Sequence, residues 1–221
     1  MKAGADYGLR PRVIWNFPNY NSFKSKFGRV CKNRGTNHHM PRFLSPSQYF
    51  KGMMMHFTHN TLSENIRAQS VELLNKHLAA AIDLHAQMKQ AHWNVRGLSF
   101  IAIHELFDKV SEEVEVYSDM IAERAGGLGG TAFGTIQIAA KHSFLVPYPL
   151  GVADGQQHVF AVAGALAAFG QSVREAVHTA TSIGDVDTSD ILTEISRGLI
   201  SNCGLLNRTL RQRPNIADHF S

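Results

Sequence analysis

Between residues 100 and 121 the apolar positions recur at alternating steps of three and four: Phe100, Ile103, Phe107, Val110, Val114, Tyr117 and Ile121. That spacing is the seam of a helix packed in a bundle. Leu74, Leu78, Ile82, His85 and His92 form a second stripe upstream. Leu74 and His92 are separated by five whole turns, so they share an azimuth. Val159, Val162, Leu166, Val173 and Val177, and then Leu192, Ile195, Leu199, Leu206 and Leu210, repeat the helical period. Thr61-Leu62-Ser63-Glu64 fits a capping box that opens the first helix. Gly97 turns the chain into the second helix, which is expected to run to about Ala125 before Gly126-Gly127-Leu128-Gly129-Gly130 stops it. Gly184, Asp185 and Asp187 mark the turn between the last two helices. About 28 residues separate the second helix from the third, too many for a plain loop in a compact domain. The pattern predicts an all-α four-helix bundle with one long crossover between helices two and three.

Polar residues on the first two helices carry the candidate chemistry. His104 and Asp108 are four apart and share a face, and Asp119 and Glu123 repeat the arrangement further along. The two pairs lie about 22 Å apart along one helix, yet only about 60° apart in azimuth. One metal cannot reach both pairs of one chain. Two such helices, antiparallel about a two-fold axis, would set His104 and Asp108 of one chain against Asp119 and Glu123 of another, giving two equivalent shared sites. His92 comes off the buried stripe at the end of the first helix. Alone it would be read as a core histidine; the four partners make it a ligand candidate. His85 has no such support and reads as structural. His104-Glu105-Leu106-Phe107-Asp108 approaches the HExxH zinc-protease motif, but Asp stands where the second His is needed. The glycine run at 126–130 lacks the Lys-Ser/Thr of a phosphate loop. Imidazole and carboxylate together suit Fe(II), and carboxylates tolerate Fe(III). Glu112, Glu113 and Glu115 read as a solvated face.

The stretch His92–Arg124, HWNVRGLSFIAIHELFDKVSEEVEVYSDMIAER, resembles the Dps proteins, the small ferritin-like iron-storage proteins of bacteria. The resemblance runs from about Leu62 to Leu210, with the metal motif present without departure at His92, His104, Asp108, Asp119 and Glu123. It implies a ferritin-like bundle with a short extra helix in the crossover, and an inter-subunit ferroxidase centre. It also implies a homo-oligomer, a hollow dodecamer built from two-fold dimers in the bacterial cytoplasm. This would be a ferroxidase-type oxidoreductase that oxidises Fe(II), preferably with hydrogen peroxide, stores Fe(III) and so protects DNA. On that reading Glu123 is the bridging or bidentate ligand, Asp119 its companion and His92 the imidazole from the partner chain. His104 and Asp108 form the weaker second iron position. Trp93, beside the site, either packs or gives an electron to a reactive intermediate. Two departures stand out. Asp154 is the only acid between Arg124 and Arg174, where relatives often carry carboxylates lining iron pores. Gly198-Leu199-Ile200-Ser201-Asn202-Cys203 replaces a stretch usually richer in charge and aromatics, and Gly198 inside a helix should cost about 1 kcal/mol relative to Ala.

Composition adds an asymmetry. The net charge is +4, but residues 1–60 hold ten Lys/Arg against Asp6 alone, and the remainder holds twelve basic against seventeen acidic residues. The basic balance belongs to a leader, residues 1–60, ahead of a ferritin-like domain at 61–212 and a short tail at 213–221. In the leader, basic residues interleave with Tyr7, Trp15, Phe17, Tyr20, Phe23 and Phe27, a combination able to bind phosphates and stack on bases. The competing function is therefore a nucleoid protein that binds DNA non-specifically through residues 1–60. The bland alternatives are a disordered tail, or upstream sequence ahead of an internal start at Met53, Met54 or Met55. Pro11, Pro18, Pro41 and Pro46 argue against a helical transit peptide. Cys31 and Cys203 make no CxxC and no disulfide framework. The longest apolar run, Val159 to Phe169, is too short to cross a membrane.

Overall fold

The structure is a computed structural model and describes residues 55–152 and 154–210. The described residues are helical, with α1 at Glu64–Asn94, α2 at Phe100–Gly127, α3 at Ile136–His142, α4 at Gly155–Ile183 and α5 at Val186–Thr209. This is the four-helix bundle predicted from the apolar periods, and α3 is the extra helix in the crossover. No described helix is long and apolar enough to cross a membrane. Most of the leader, residues 1–54, and the whole tail, 213–221, lie outside the described residues.

Side-chain contacts set the directions of the helices. His77 of α1 meets Ser172 of α4 at 3.1 Å, while Gly155, at the start of α4, lies against the Arg96 carbonyl just past the end of α1. Tyr117 packs on Gly198, and Arg124, near the end of α2, reaches Asp185 at the head of α5. Each of these pairs is antiparallel, and so are α1 and α2, where Lys89 meets Asp108 and His92 meets His104, so α2 and α4 run the same way and the long crossover must return the chain along the bundle. The core is the expected one. Leu74, Leu78, Ile103, Phe107, Val110, Val114, Tyr117, Ile121, Val159, Val162, Leu166, Val173, Leu192, Ile195, Leu199 and Leu206 are buried in one cluster.

Polar groups on α1 hold the crossover down. Asn75 donates to the carbonyls of Val71 (3.1 Å) and Thr131 (2.9 Å) and accepts from the Phe133 N–H at 2.7 Å. Arg67 donates to the Leu128 carbonyl at 2.8 Å. Gln87 donates to the Val146 carbonyl at 3.1 Å, and Asp83 accepts from the Ser143 hydroxyl at 2.5 Å. Buried amides pair here with loop backbone that would otherwise be unsatisfied. The glycines of the turn are required by closeness. A Cβ on Gly130 would sit 2.4 Å from Val71, and Gly129 (φ +82°) would place one 2.6 Å from the His56 carbonyl. The His56 N–H in turn donates to the Gly129 carbonyl at 2.7 Å, so residues just before the bundle lie along its end.

Three local expectations are corrected. The N-cap of α1 is Ser63, whose hydroxyl accepts from the Ile66 N–H, and Glu64 is already the first helical residue, so Thr61 does not close a capping box. Asp187 is in the first turn of α5, because Asp185 caps that helix by accepting from the Thr188 N–H. Glu113 is not simply on a solvated face. It accepts from the Asn202 amide at 2.7 Å and from Tyr117 at 3.5 Å, inside the α2–α5 contact.

Candidate metal centre

The ends of α1 and the start of α2 build the first half of the site. Val95 leaves α1 in an extended conformation, its N–H still donating to the Ala91 carbonyl. Residues 95–99 then reverse the chain, so the last turn of α1 faces the first turns of α2. The result is a reciprocal pair. His92 Nδ1 is 3.0 Å from the His104 carbonyl oxygen, and His104 Nδ1 is 2.9 Å from the His92 carbonyl oxygen. A carbonyl only accepts, so each Nδ1 carries a proton, and Nε2 is the atom of each ring that could serve as a ligand. The rings stack at 3.7 Å with 22° between their planes, and Phe100 lies 5.0 Å from the His104 ring. Fixing the tautomer through Nδ1 is how proteins commonly orient imidazole ligands.

Asp108 lies one turn beyond His104, with Oδ1 3.8 Å from His92 Nδ1. Its near neighbour is one that the sequence analysis did not single out: Lys89 Nζ is 2.5 Å from Asp108 Oδ1. The signal was present, because Lys89 precedes His92 by three residues and so shares its face of α1. The Lys89 hydrogen bond, with the charges of the nearby histidines, holds the Asp108 carboxyl below its ordinary value against the opposing effect of desolvation.

Asp119 and Glu123 are exposed, further along the same helix. Among the described residues of one chain, no three His, Cys, Asp or Glu side chains converge as a metal site. His92, His104 and Asp108 are neighbours across the α1–α2 turn without converging on one point, and Asp119 and Glu123 stand apart from them on α2. Trp93 is 69% exposed beside His92, and Leu98, Ile101 and Val116 are exposed apolar residues around the two half-sites. His85 is half-buried on α1. The residue after Glu123 is tied down firmly. Arg124 Nη2 is 2.7 Å from Asp185 Oδ1, and Arg124 Nε donates to the Thr188 hydroxyl at 2.9 Å. Burial pushes Asp185 up, but the nearby Ser70 hydroxyl, the hydrogen bonds from Thr188 and the Arg124 charge outweigh it, leaving the carboxyl below its ordinary value.

Residues 71–211 match the ferritin-like domain. The DNA protection during starvation protein of Agrobacterium fabrum is 35% identical over 161 residues, covering 73% of this chain and 99% of that protein. The chain belongs to the Dps family. The protein of the same name from Mycolicibacterium smegmatis is 42% identical over a shorter stretch of 82 residues, 37% of this chain and 45% of that one. Among solved structures, the tetragonal form of Mycobacterium smegmatis Dps superposes with a TM-score of 0.68 at 28% identity, covering 72% of this chain and 96% of that chain. DpsA14 from Streptomyces coelicolor gives 0.68 at 30% identity, with 72% and 95% covered. The Dps resemblance first carried by residues 92–124 therefore extends over the whole bundle.

Proposed function

We propose that this Dps protein detoxifies and stores iron by oxidising Fe(II) at sites shared between two chains. The observation that carries the reading is the pair of half-sites, one across the α1–α2 turn and one further along α2. His92 and His104 offer Nε2 beside Asp108, while Asp119 and Glu123 stand exposed on α2 with no partner set of their own. An isologous dimer makes two whole sites from four halves, and the exposed Trp93, Ile101 and Val116 give its interface apolar surface to bury. In this scheme Glu123 and Asp119 hold one iron with His92 of the partner subunit. His104 and Asp108 hold a second iron more weakly, since Lys89 competes for the Asp108 oxygen. Iron is the substrate. Two Fe(II) and one hydrogen peroxide, with two waters, give two ferric oxyhydroxide units and four protons. Each iron loses one electron and the peroxide O–O bond takes both. The reaction removes both reagents of hydroxyl-radical chemistry, which protects DNA. Trp93 is placed to give an electron to a stray one-electron oxidant. Dimers would close into a hollow dodecamer holding the mineral, in the cytoplasm.

The test is peroxide-driven Fe(II) oxidation, followed in a single turnover, in Asp119→Asn and Glu123→Gln. A rate at least tenfold lower, with helicity and oligomer size unchanged, is expected. Unchanged rates would remove both residues from the site.

A second reading rests on the charge asymmetry. With ten basic residues against one acid in residues 1–60 and an acidic remainder, any DNA binding belongs to the leader. Removing residues 1–55 should abolish a gel shift that weakens steeply with salt in the full chain. A shift given equally by the shortened protein would sink that assignment.

A further inference from the structure

Tyr148, in the crossover, and His158, near the head of α4, form a pair that the metal centre does not use. The Tyr148 hydroxyl oxygen is 2.5 Å from His158 Nδ1. The two rings lie 6.2 Å apart with 21° between their planes. His158 is buried, and Tyr148 is half-buried against the hydrophobic core. Burial lowers the affinity of the His158 ring for a proton more than the backbone of Val152 and Asn94 and the charge of Asp154 raise it. The ring is therefore neutral at neutral pH, and a neutral imidazole has one nitrogen that accepts. Burial also pushes the Tyr148 phenol up to about 12, so it keeps its proton and can donate it to Nδ1.

The pair sits behind the α1–α2 turn. Gly155, at the head of α4, lies against the Arg96 carbonyl and the Val95 side chain. The His158 ring reaches the backbone of Asn94, and Asn94 follows His92 and Trp93 in the last turn of α1. Contact therefore runs from the exposed Trp93 through Asn94 and His158 to Tyr148. A phenol gives up an electron with difficulty while it keeps its proton. Its oxidation becomes easy when the proton leaves with the electron, which needs a base already hydrogen-bonded to the oxygen. His158 Nδ1 meets that need.

We propose that Tyr148, with His158 as its base, is an internal electron donor that refills Trp93 after Trp93 has been oxidised. The proposal rests on the iron reading above for the source of the oxidant. A lone Fe(II) that meets hydrogen peroxide gives one electron and leaves Fe(III), hydroxide and a hydroxyl radical. The hydroxyl radical takes an electron from Trp93 and becomes hydroxide. Trp93 takes one in turn from Tyr148, whose phenolic proton passes to His158 Nδ1. The products are a neutral phenoxyl on Tyr148 and an imidazolium on His158. A further Fe(II) then gives its electron to the phenoxyl and becomes Fe(III), and the proton returns from His158 to the phenol. The one-electron oxidant is thus spent on iron.

The test uses the full chain carrying Trp15→Phe, which leaves Trp93 as its single tryptophan. Azide radicals made by pulse radiolysis oxidise the indole of the metal-free protein, and absorbance follows the indole radical as it passes to phenoxyl. Transfer at a rate independent of protein concentration is expected. Its amplitude should be at least threefold lower in Tyr148→Phe and in His158→Gln, at unchanged helicity, and unaltered in Tyr117→Phe. Glutamine can accept the Tyr148 hydrogen bond but cannot hold its proton, so a merely structural pair would survive His158→Gln. Full amplitude in either Tyr148→Phe or His158→Gln would overturn the proposal. A second measurement adds one Fe(II) per chain and excess peroxide, with freeze-quenched electron paramagnetic resonance. The phenoxyl signal should be at least threefold weaker in Tyr148→Phe, and an equal signal would overturn the proposal. No signal even in the parent, with the azide-driven transfer intact, would overturn the iron reading and leave the Tyr148–His158 donor standing.

Discussion

The two faces of α2 carry similar residues in opposite situations. Facing inward, Glu113 is met by Asn202 and Tyr117, and Arg124 is met by Asp185 and Thr188. Facing outward, Asp119 and Glu123 are exposed, and His104, with His92 from the end of α1, sets one ring nitrogen against a backbone carbonyl. The difference separates structure from function on one helix. A charge whose partners all come from its own chain is part of the fold. A polar group whose own chain leaves part of its bonding capacity unused is available to another molecule. Asp108 stands between the two cases, because Lys89 satisfies it with a surface contact that an ion could displace.

The comparison breaks most visibly at its most buried pair. Asp185→Asn should destabilise the protein by about 3 kcal/mol, because it removes the buried carboxylate that Arg124 and Thr188 share and leaves Arg124 only the exposed Asp187 at 3.6 Å. Urea unfolding would measure this. The folded carboxyl lies below its ordinary value. The stability it contributes is therefore complete above the unfolded pKa and is lost as pH falls through the lower folded value. The variant's stability should thus fall less than the parent's in the acid range below the usual carboxylate pKa. Equal acid sensitivity would show that the pair is not held as the structure indicates.

Gly198→Ala probes the same inward face with a smaller effect. Its Cβ would fall 1.8 Å from the Tyr117 hydroxyl. Overpacking should cost about 2 kcal/mol, offset in part by about 1 kcal/mol of helix propensity. Tyr117→Phe in the same chain should recover part of the loss. If Gly198→Ala alone proves stabilising, the α2–α5 contact is looser than described. Tyr117, pushed up to about 12 by burial and by Glu113, should stay protonated throughout the neutral range.

The smallest effect belongs to the outward face. Lys89→Met removes the main cause of the lowered Asp108 carboxyl, so that pKa should rise toward the ordinary value with little change in stability, since the pair is partly exposed. A carboxyl titration followed by NMR measures it. An unmoved Asp108 would mean that the histidines, not Lys89, set its charge.

Much of this was legible from residues alone, for a physical reason. Helical periods are local, so the seam from Phe100 to Ile121 and the stripes of α1, α4 and α5 could be read without knowing what they pack against. The ligand candidates were legible because a helix converts spacing into direction. His104 with Asp108, and Asp119 with Glu123, had to share a face, and their separation along the axis had to exclude a single-chain site. Capping was less legible at α1, where both Thr61 and Ser63 offer a hydroxyl and only the path of the chain chose Ser63.

What tertiary structure decided lies in contacts between distant segments. Gly198 looked like a defect in a helix until Tyr117 was found pressed against it, and Glu113 looked solvated until Asn202, far along the chain, closed over it. Asn75 and Arg67 were unremarkable polar residues on α1 until the crossover placed the Thr131, Phe133 and Leu128 backbone against them. The reciprocal bonds of His92 and His104 follow the same rule. Their spacing announced two imidazoles on facing turns. Only the turn at 95–99, by setting how α1 returns as α2, determined that each ring would place Nδ1 against the other's backbone carbonyl.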